Sequence, residues 1–224
     1  MKIFIDLGSH VGESIINLRE LVDINQEFKI YGFEPHPIVF KKAKHNIENY
    51  KKNSNINLFE KAGYINDNDS ILYQHPALSK LELKDQINNY NELGGDGSST
   101  LNINKKGISK EGTIKIKCVN VASFFKDIVT EDDYVILKMD IEGAEYELIP
   151  HLIENNIFKM VNIFLIEFHS VKVNLDPIID KKLMNNIKKQ NENIIIITEE
   201  QAMKQKKNKG HFNGNWFHMV KNII

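Results

Sequence analysis

Apolar residues in this chain fall into two alternating patterns: short runs rich in Ile, Val, Phe and Leu, and longer stretches in which they recur every three or four residues. Runs of the first kind read as strands, and stretches of the second kind as helices with one buried stripe. Strands are expected at 3–5, 29–33, 56–60, 71–74, 114–119, 134–139, 162–168 and 194–198. Helices are expected at 13–21, around Phe40, Ala43, Ile47 and Tyr50, at 121–128, around Leu148, Leu152 and Ile153, and at 177–190. Alternation of strand and helix along most of the chain predicts an α/β fold, a doubly wound and mostly parallel sheet with helices on both faces. The run 216–220 reads as a further strand, pairing antiparallel with 194–198 at one sheet edge. Between 75 and 112 the periodicity lapses, and so long a stretch inside a compact domain predicts a lid or substrate-binding insertion.

Composition narrows the class. With 224 residues, 42% hydrophobic and 26% charged, the chain fits a single domain over 1–224. A formal net charge of −1 provides no basic field for nucleic acid. Cys118 is the only cysteine, so no disulfide is expected. No apolar run nears the roughly 18 residues that span a bilayer. The first strand begins at once, without a basic segment and an apolar run before it, which predicts a cytoplasmic protein with no membrane partner. Oligomeric state is left open.

Candidate chemistry sits where strands end, because open parallel sheets bind ligands beyond their carboxyl edges. The first strand runs into Asp6-Leu7-Gly8-Ser9-His10-Val11-Gly12, and the second ends at Glu34 and Pro35. Glycines let this loop turn tightly, the following helix offers free N–H groups to an anion, and Glu34 can accept both hydroxyls of a ribose. Gly8 and Gly12 alone would suit any strand–turn–helix. Their G-x-x-x-G spacing, however, departs from the G-x-G-x-x-G of a dinucleotide site, and no Gly-Lys-Ser/Thr triplet marks a P-loop. Asp6 at the strand tip would repel a pyrophosphate and favour an ammonium. S-adenosylmethionine (SAM) meets these demands with its ammonium, sulfonium, carboxylate and ribose, and leaves S-adenosylhomocysteine as product. The expected cofactor set is Asp6, Gly8, Ser9, His10, Gly12, Ser14, Glu34, Pro35, Ala62, Gly63 and Asp140.

A second group comprises Asp140, Glu142, Glu167 and His169, at the ends of two later strands. One reading makes it catalytic, with His169 or a carboxylate removing a proton from an acceptor hydroxyl. The base reading assigns no metal; the alternative is that the same residues hold a hard divalent cation. Ser98, Ser99, Thr100 and His169 are the candidate acceptor-binding residues. Glu145 and Glu147 read as first-turn carboxylates favoured by the helix dipole. The remaining histidines share no zinc-ligand spacing, and the lysines of 204–209 read as a solvated loop.

These pieces together resemble the FkbM-type SAM-dependent methyltransferases. The resemblance is carried by Phe4–Gly12, by Gly32-Phe33-Glu34-Pro35, by Ala62-Gly63 read as a turn, and by Gly97–Thr100. Leu137–Glu145, with its K-x-D-x-E-G-x-E pattern, and Ile166-Glu167-Phe168-His169 complete it. It implies a seven-stranded, Rossmann-like class I methyltransferase, usually an O-methyltransferase of small molecules or glycans. A sugar, sugar nucleotide, surface-polysaccharide precursor or phosphoramidate-type group would be the acceptor. Members often carry a segment before the first strand that covers the site; here closure is expected from 75–112 or from a partner subunit. The rival readings are a SAM-binding protein without transferase activity and an NAD-dependent oxidoreductase.

Overall fold

The structure, a computed structural model, describes residues 1–82, 99–204 and 214–224. Its main sheet has six strands, all parallel: β1 (Lys2–Leu7), β2 (Phe28–Phe33), β3 (Ile56–Phe59), β7 (Tyr134–Met139), β8 (Ile163–Ile166) and β9 (Ile195–Thr198). Their spatial order is β3-β2-β1-β7-β8-β9. The winding therefore reverses between β1 and β7, which opens a crevice at their carboxyl ends. The expected seven strands become six, with a separate three-stranded sheet, β4-β6-β5, built from Ala62–Tyr64, Ser109–Asn120 and Asp69–Gln74. The only antiparallel ladder among the described strands is β5–β6, in this second sheet.

Strand parity decides which face each residue serves. Ile3, Ile5 and Leu7 pack with Val135, Leu137 and Met139 against α4 (Val121–Ile128), α5 (Glu145–Glu154) and α6 (Ile178–Gln190). Phe4, Ile30, Ile136 and Leu165 face the other side, where α1 (Glu13–Leu21) and the last helix lie. Two further helices, α2 (Pro37–Glu48) and the short α3 (Pro76–Ser79), each begin with a histidine cap followed by proline. The last pair is α7 (Glu199–Lys204) and α8 (Gly214–Lys221).

Helix α8 overturns the expected edge strand at 216–220. Trp216, Phe217 and Val220 are all buried, a spacing that puts them on one helical face. That face closes the core opposite Phe4 and α1, with Phe4 and Phe217 edge to face at 5.8 Å. Ala62-Gly63 is likewise a strand, not a turn, pairing parallel with Cys118 and Val119. A Cβ at Gly63 would lie 2.7 Å from the Leu7 side chain, so glycine lets β4 cross close to the end of β1. The irregular stretch ends at 108, because Ser109 already begins β6. Much of it, 83–98 with Ser98, lies outside the described residues, as do 205–213 with most of the lysine run.

Candidate active site

Four carboxyl ends stand in register across the main sheet. Phe33 pairs with Leu7, Leu7 with Met139 and Met139 with Ile166, so the next residues, Glu34, Gly8, Asp140 and Glu167, form a row. Backbone bonds continue past the strands: the N–H groups of Gly8, Asp140 and Glu167 donate to Phe33, Leu7 and Met139. At about 4.8 Å per strand, Glu34 and Asp140 are roughly 10 Å apart along the row. Gly8 has φ +85, and a Cβ there would meet the Asp140 carbonyl oxygen at 1.9 Å. Only glycine lets β1 and β7 leave the sheet this close together.

At one end of the row, Glu34 is 8% exposed and fixed by two backbone donors. His10 N–H reaches Oε2 at 3.0 Å, and His36 N–H reaches Oε1 at 2.8 Å. Burial pushes the Glu34 carboxyl up to about 8, against the downward pull of these donors. Each oxygen keeps acceptor capacity beyond its backbone bond. Pro35 follows, half-buried, and α1 starts at Gly12 with no side-chain cap, so its first-turn N–H groups adjoin the glycine loop.

Asp6 is placed differently from the expectation. It is fully buried on the α1 face, directly opposite Lys138 in the β1–β7 register, with Oδ1 3.1 Å from Nζ. Ser14 donates its hydroxyl to Oδ2, and Ser9 donates to the Asp6 carbonyl at 3.2 Å. The Asp6 charge is thus met inside the protein by Lys138. Lys138 also donates to the Gly8 carbonyl at 3.1 Å and lies 3.9 Å from Asp140 Oδ2. Burial works against its charge, but Asp6 and Asp140 outweigh this and raise its pKa. Asp6, Ser9 and Ser14 brace the loop; Gly63 lies against Leu7 at the end of β1, and Ala62 is buried with Cys118 in the core of the second sheet.

At the other end, the acidic residues converge on one imidazole. His169 is 1% exposed; its ring Nδ1 and its backbone N–H both lie 2.9 Å from Glu145 Oε1. Around Nε2 stand Glu167 Oε1 at 3.1 Å, Glu142 Oε2 at 3.3 Å and Asp140 Oδ1 at 3.8 Å. None of the three takes a hydrogen bond from Nε2. Burial favours a neutral ring, but the Glu145 and Glu167 contacts reverse this and push His169 up to about 10. A cationic ring has no lone pair to receive a proton, so His169 does not act as the base in this state. Burial pushes Asp140 up to about 7, against the pull of Lys138. Burial also opposes the Glu167 charge, yet His169 and Lys172 outweigh it and hold that carboxyl low.

The segment from β7 to α5 is held from outside. Glu142 has φ 57, a left-handed backbone uncommon for any residue but glycine, and costs of order 1–3 kcal/mol are typical of such strain. Thr100 donates its hydroxyl to the Glu142 carbonyl at 2.6 Å, Asn102 donates to Gly143 O at 3.0 Å, and Gly143 N–H donates to Glu145 Oε2 at 2.8 Å. Thr100 is itself paired with Tyr73 by two backbone bonds, and Ser99 precedes it. Lys105 Nζ is 2.7 Å from Glu142 Oε2, and Lys172 lies 3.6–3.7 Å from Glu167 and Glu142.

Sequence reasoning missed Lys138, Asn102, Lys105 and Lys172, and read Glu145 as a cap. Lys138 could have been found, since Lys138 and Asp140 share strand parity. Glu145 does cap Gly143, yet its other oxygen orients His169.

A six-stranded parallel sheet with its switch point between β1 and β7, and an acidic residue after β2, defines a Rossmann-like α/β protein. The family model of the methyltransferase FkbM domain matches residues 6–198, and the chain belongs to that family. One similar solved structure is the methyltransferase FkbM from Methylobacillus flagellatus KT, at 16% identity and TM-score 0.39. The match covers 69% of this chain and 30% of that one, so the chain spans under a third of that relative's length. No protein of curated function matches the chain. No helix among the described residues is long and apolar enough to cross a membrane.

Proposed function

We propose that the chain is a cytoplasmic SAM-dependent O-methyltransferase of a small polar acceptor, such as a sugar, a sugar nucleotide or a surface-polysaccharide precursor. The observation that carries this reading is the in-register row of strand ends, with Glu34 at one end and the Asp140–Glu167 cluster at the other. Glu34 suits the ribose hydroxyls, since its two oxygens are aimed by backbone donors and its neighbours leave them acceptor capacity. The uncapped start of α1 suits the methionine carboxylate. SAM, when bound, supplies a methyl group on a sulfonium, which an acceptor oxygen attacks in line with the departing sulfur.

This chain's residues then have two tasks. They align the acceptor hydroxyl with the methyl carbon, and a carboxylate of the cluster takes the hydroxyl proton. Asp140 and Glu167 are the carboxylates for that role, because His169 is already protonated. Thr100 and Asn102 tie the described segment 99–108 to this end of the row, which suits an acceptor-binding role for that segment. Purified protein incubated with SAM and a panel of hydroxylated metabolites is expected to release S-adenosylhomocysteine with at least one acceptor. SAM binding without turnover across the panel would favour a binding protein, and NAD(H) binding in place of SAM would overturn the reading.

A further inference from the structure

The His169 pocket has a charge and geometry that an ion pair does not explain. Asp140, Glu142, Glu145 and Glu167 bring four carboxylates around one ring, whereas Lys105 and Lys172 bring two ammonium groups. Lys138 is closer to Asp6, at 3.1 Å, than to Asp140, at 3.9 Å. With the His169 imidazolium counted beside the two ammonium groups, one negative charge remains in surplus.

The orientation of the ring is the independent observation. Nδ1 is fixed by Glu145, which aims Nε2 into the cluster, and the ring is out of solvent. Three carboxylates approach Nε2 from the ends of two strands, yet Nε2 makes no hydrogen bond to any of them. Oxygens that stand around a nitrogen without lying on its N–H direction are arranged about a point between them. Asp140, Glu142 and His169 each offer one atom, all within 4.8 Å of one another. Ligands about 2.1 Å from a small divalent ion lie roughly 3–4 Å apart, so a modest closure of these side chains suffices. A histidine that gives one nitrogen to a carboxylate and turns the other toward a metal is a recurrent arrangement.

We propose that Asp140, Glu142 and His169 bind a divalent cation that takes the place of the Nε2 proton, which leaves to solvent as the ion binds, with Glu145 fixing the ring that faces it. Carboxylate oxygens favour Mg²⁺ or Mn²⁺ and imidazole favours softer ions; Mn²⁺ accepts both. Binding of the ion stands on the geometry alone. Its role, holding the acceptor hydroxyl while Glu167 receives the proton, rests on the methyl-transfer reading above.

The full chain, stripped with EDTA and moved into metal-free buffer, is titrated with MnCl₂ while the electron paramagnetic resonance signal of free Mn²⁺ is followed. One saturable site per chain is expected, with nitrogen modulation from an imidazole in the spin echo of the wild-type protein. Asp140→Asn should abolish the site. Glu145→Gln, which only loosens the ring, should weaken it about 10–100-fold. No saturable binding below millimolar Mn²⁺ would overturn the proposal, and so would bound Mn²⁺ without nitrogen coupling, or Asp140→Asn binding as tightly as wild type. The nitrogen signal needs no variant, so a misfolded mutant cannot obscure the result. SAM binding measured by calorimetry in EDTA tests the donor reading separately, so either can fail while the other stands.

Discussion

His169 Nδ1 lies 2.9 Å from Glu145 Oε1, and neither side chain reaches solvent. The contact joins the residues after β8 to the first turn of α5, so it fixes the strand end and the helix start together. Removing one partner from a buried charged pair leaves the other uncompensated, at a cost of about 3–5 kcal/mol. Glu145→Ala should lower the urea midpoint accordingly, and the His169 ring should titrate well below 10 by NMR. An unchanged midpoint would mean that water replaces the carboxylate.

Asp6 and Lys138 form the second buried pair, and their prediction separates a structural Asp6 from a ligand-binding one. Lys138→Met should destabilise the protein by about 3–5 kcal/mol, because it strands the Asp6 carboxylate. Asp6→Asn combined with Lys138→Met should recover much of that loss in chemical denaturation. A double variant no more stable than Lys138→Met would show that the lysine acts elsewhere.

Glu34 gives the pH dependence. Its carboxyl is raised to about 8 by burial, and a ribose diol needs it ionised. SAM affinity should therefore rise as pH climbs from 6 to 8 and level off above, by at most about tenfold per pH unit. In the unliganded protein the sign is opposite: the folded state keeps this proton up to about 8, so the stabilising contribution is present below the unfolded pKa and lost as pH rises through 8. Glu34→Gln should flatten the binding profile. Glu34→Ala should weaken SAM by at least about tenfold, since hydrogen bonds to charged groups are worth roughly 1.5–3 kcal/mol. Calorimetry at several pH values checks all three.

Thr100 tests the coupling between the segment 99–108 and the acidic cluster. Thr100→Val keeps the shape and deletes the hydroxyl that meets the Glu142 carbonyl. The lost bond is worth about 0.5–1.5 kcal/mol. Its effect should fall on acceptor KM or kcat, with SAM affinity unchanged. Equal losses in donor and acceptor binding would place the residue in the general support of the crevice.

The sequence by itself determined the strand–glycine–helix opening, the face served by each strand residue, and the convergence of acidic residues at strand ends. Those features are local: a period of two or of three to four sets an element and its buried side, and β7 and α4 fall where that period puts them. The tertiary structure alone decided which elements become neighbours. Asp6 looked like an open charge because Lys138 is distant in sequence and meets it only when β1 and β7 lie side by side. Glu145 looked like a cap because His169 enters its reach only through the β7–β8 pairing. Trp216, Phe217 and Val220 form a short apolar run that fits a strand as well as a helix, and the space opposite Phe4 and α1 selects the helix. Non-local burial, which no local period encodes, turned a set of candidate acids into one braced pair and one pocket around an imidazole.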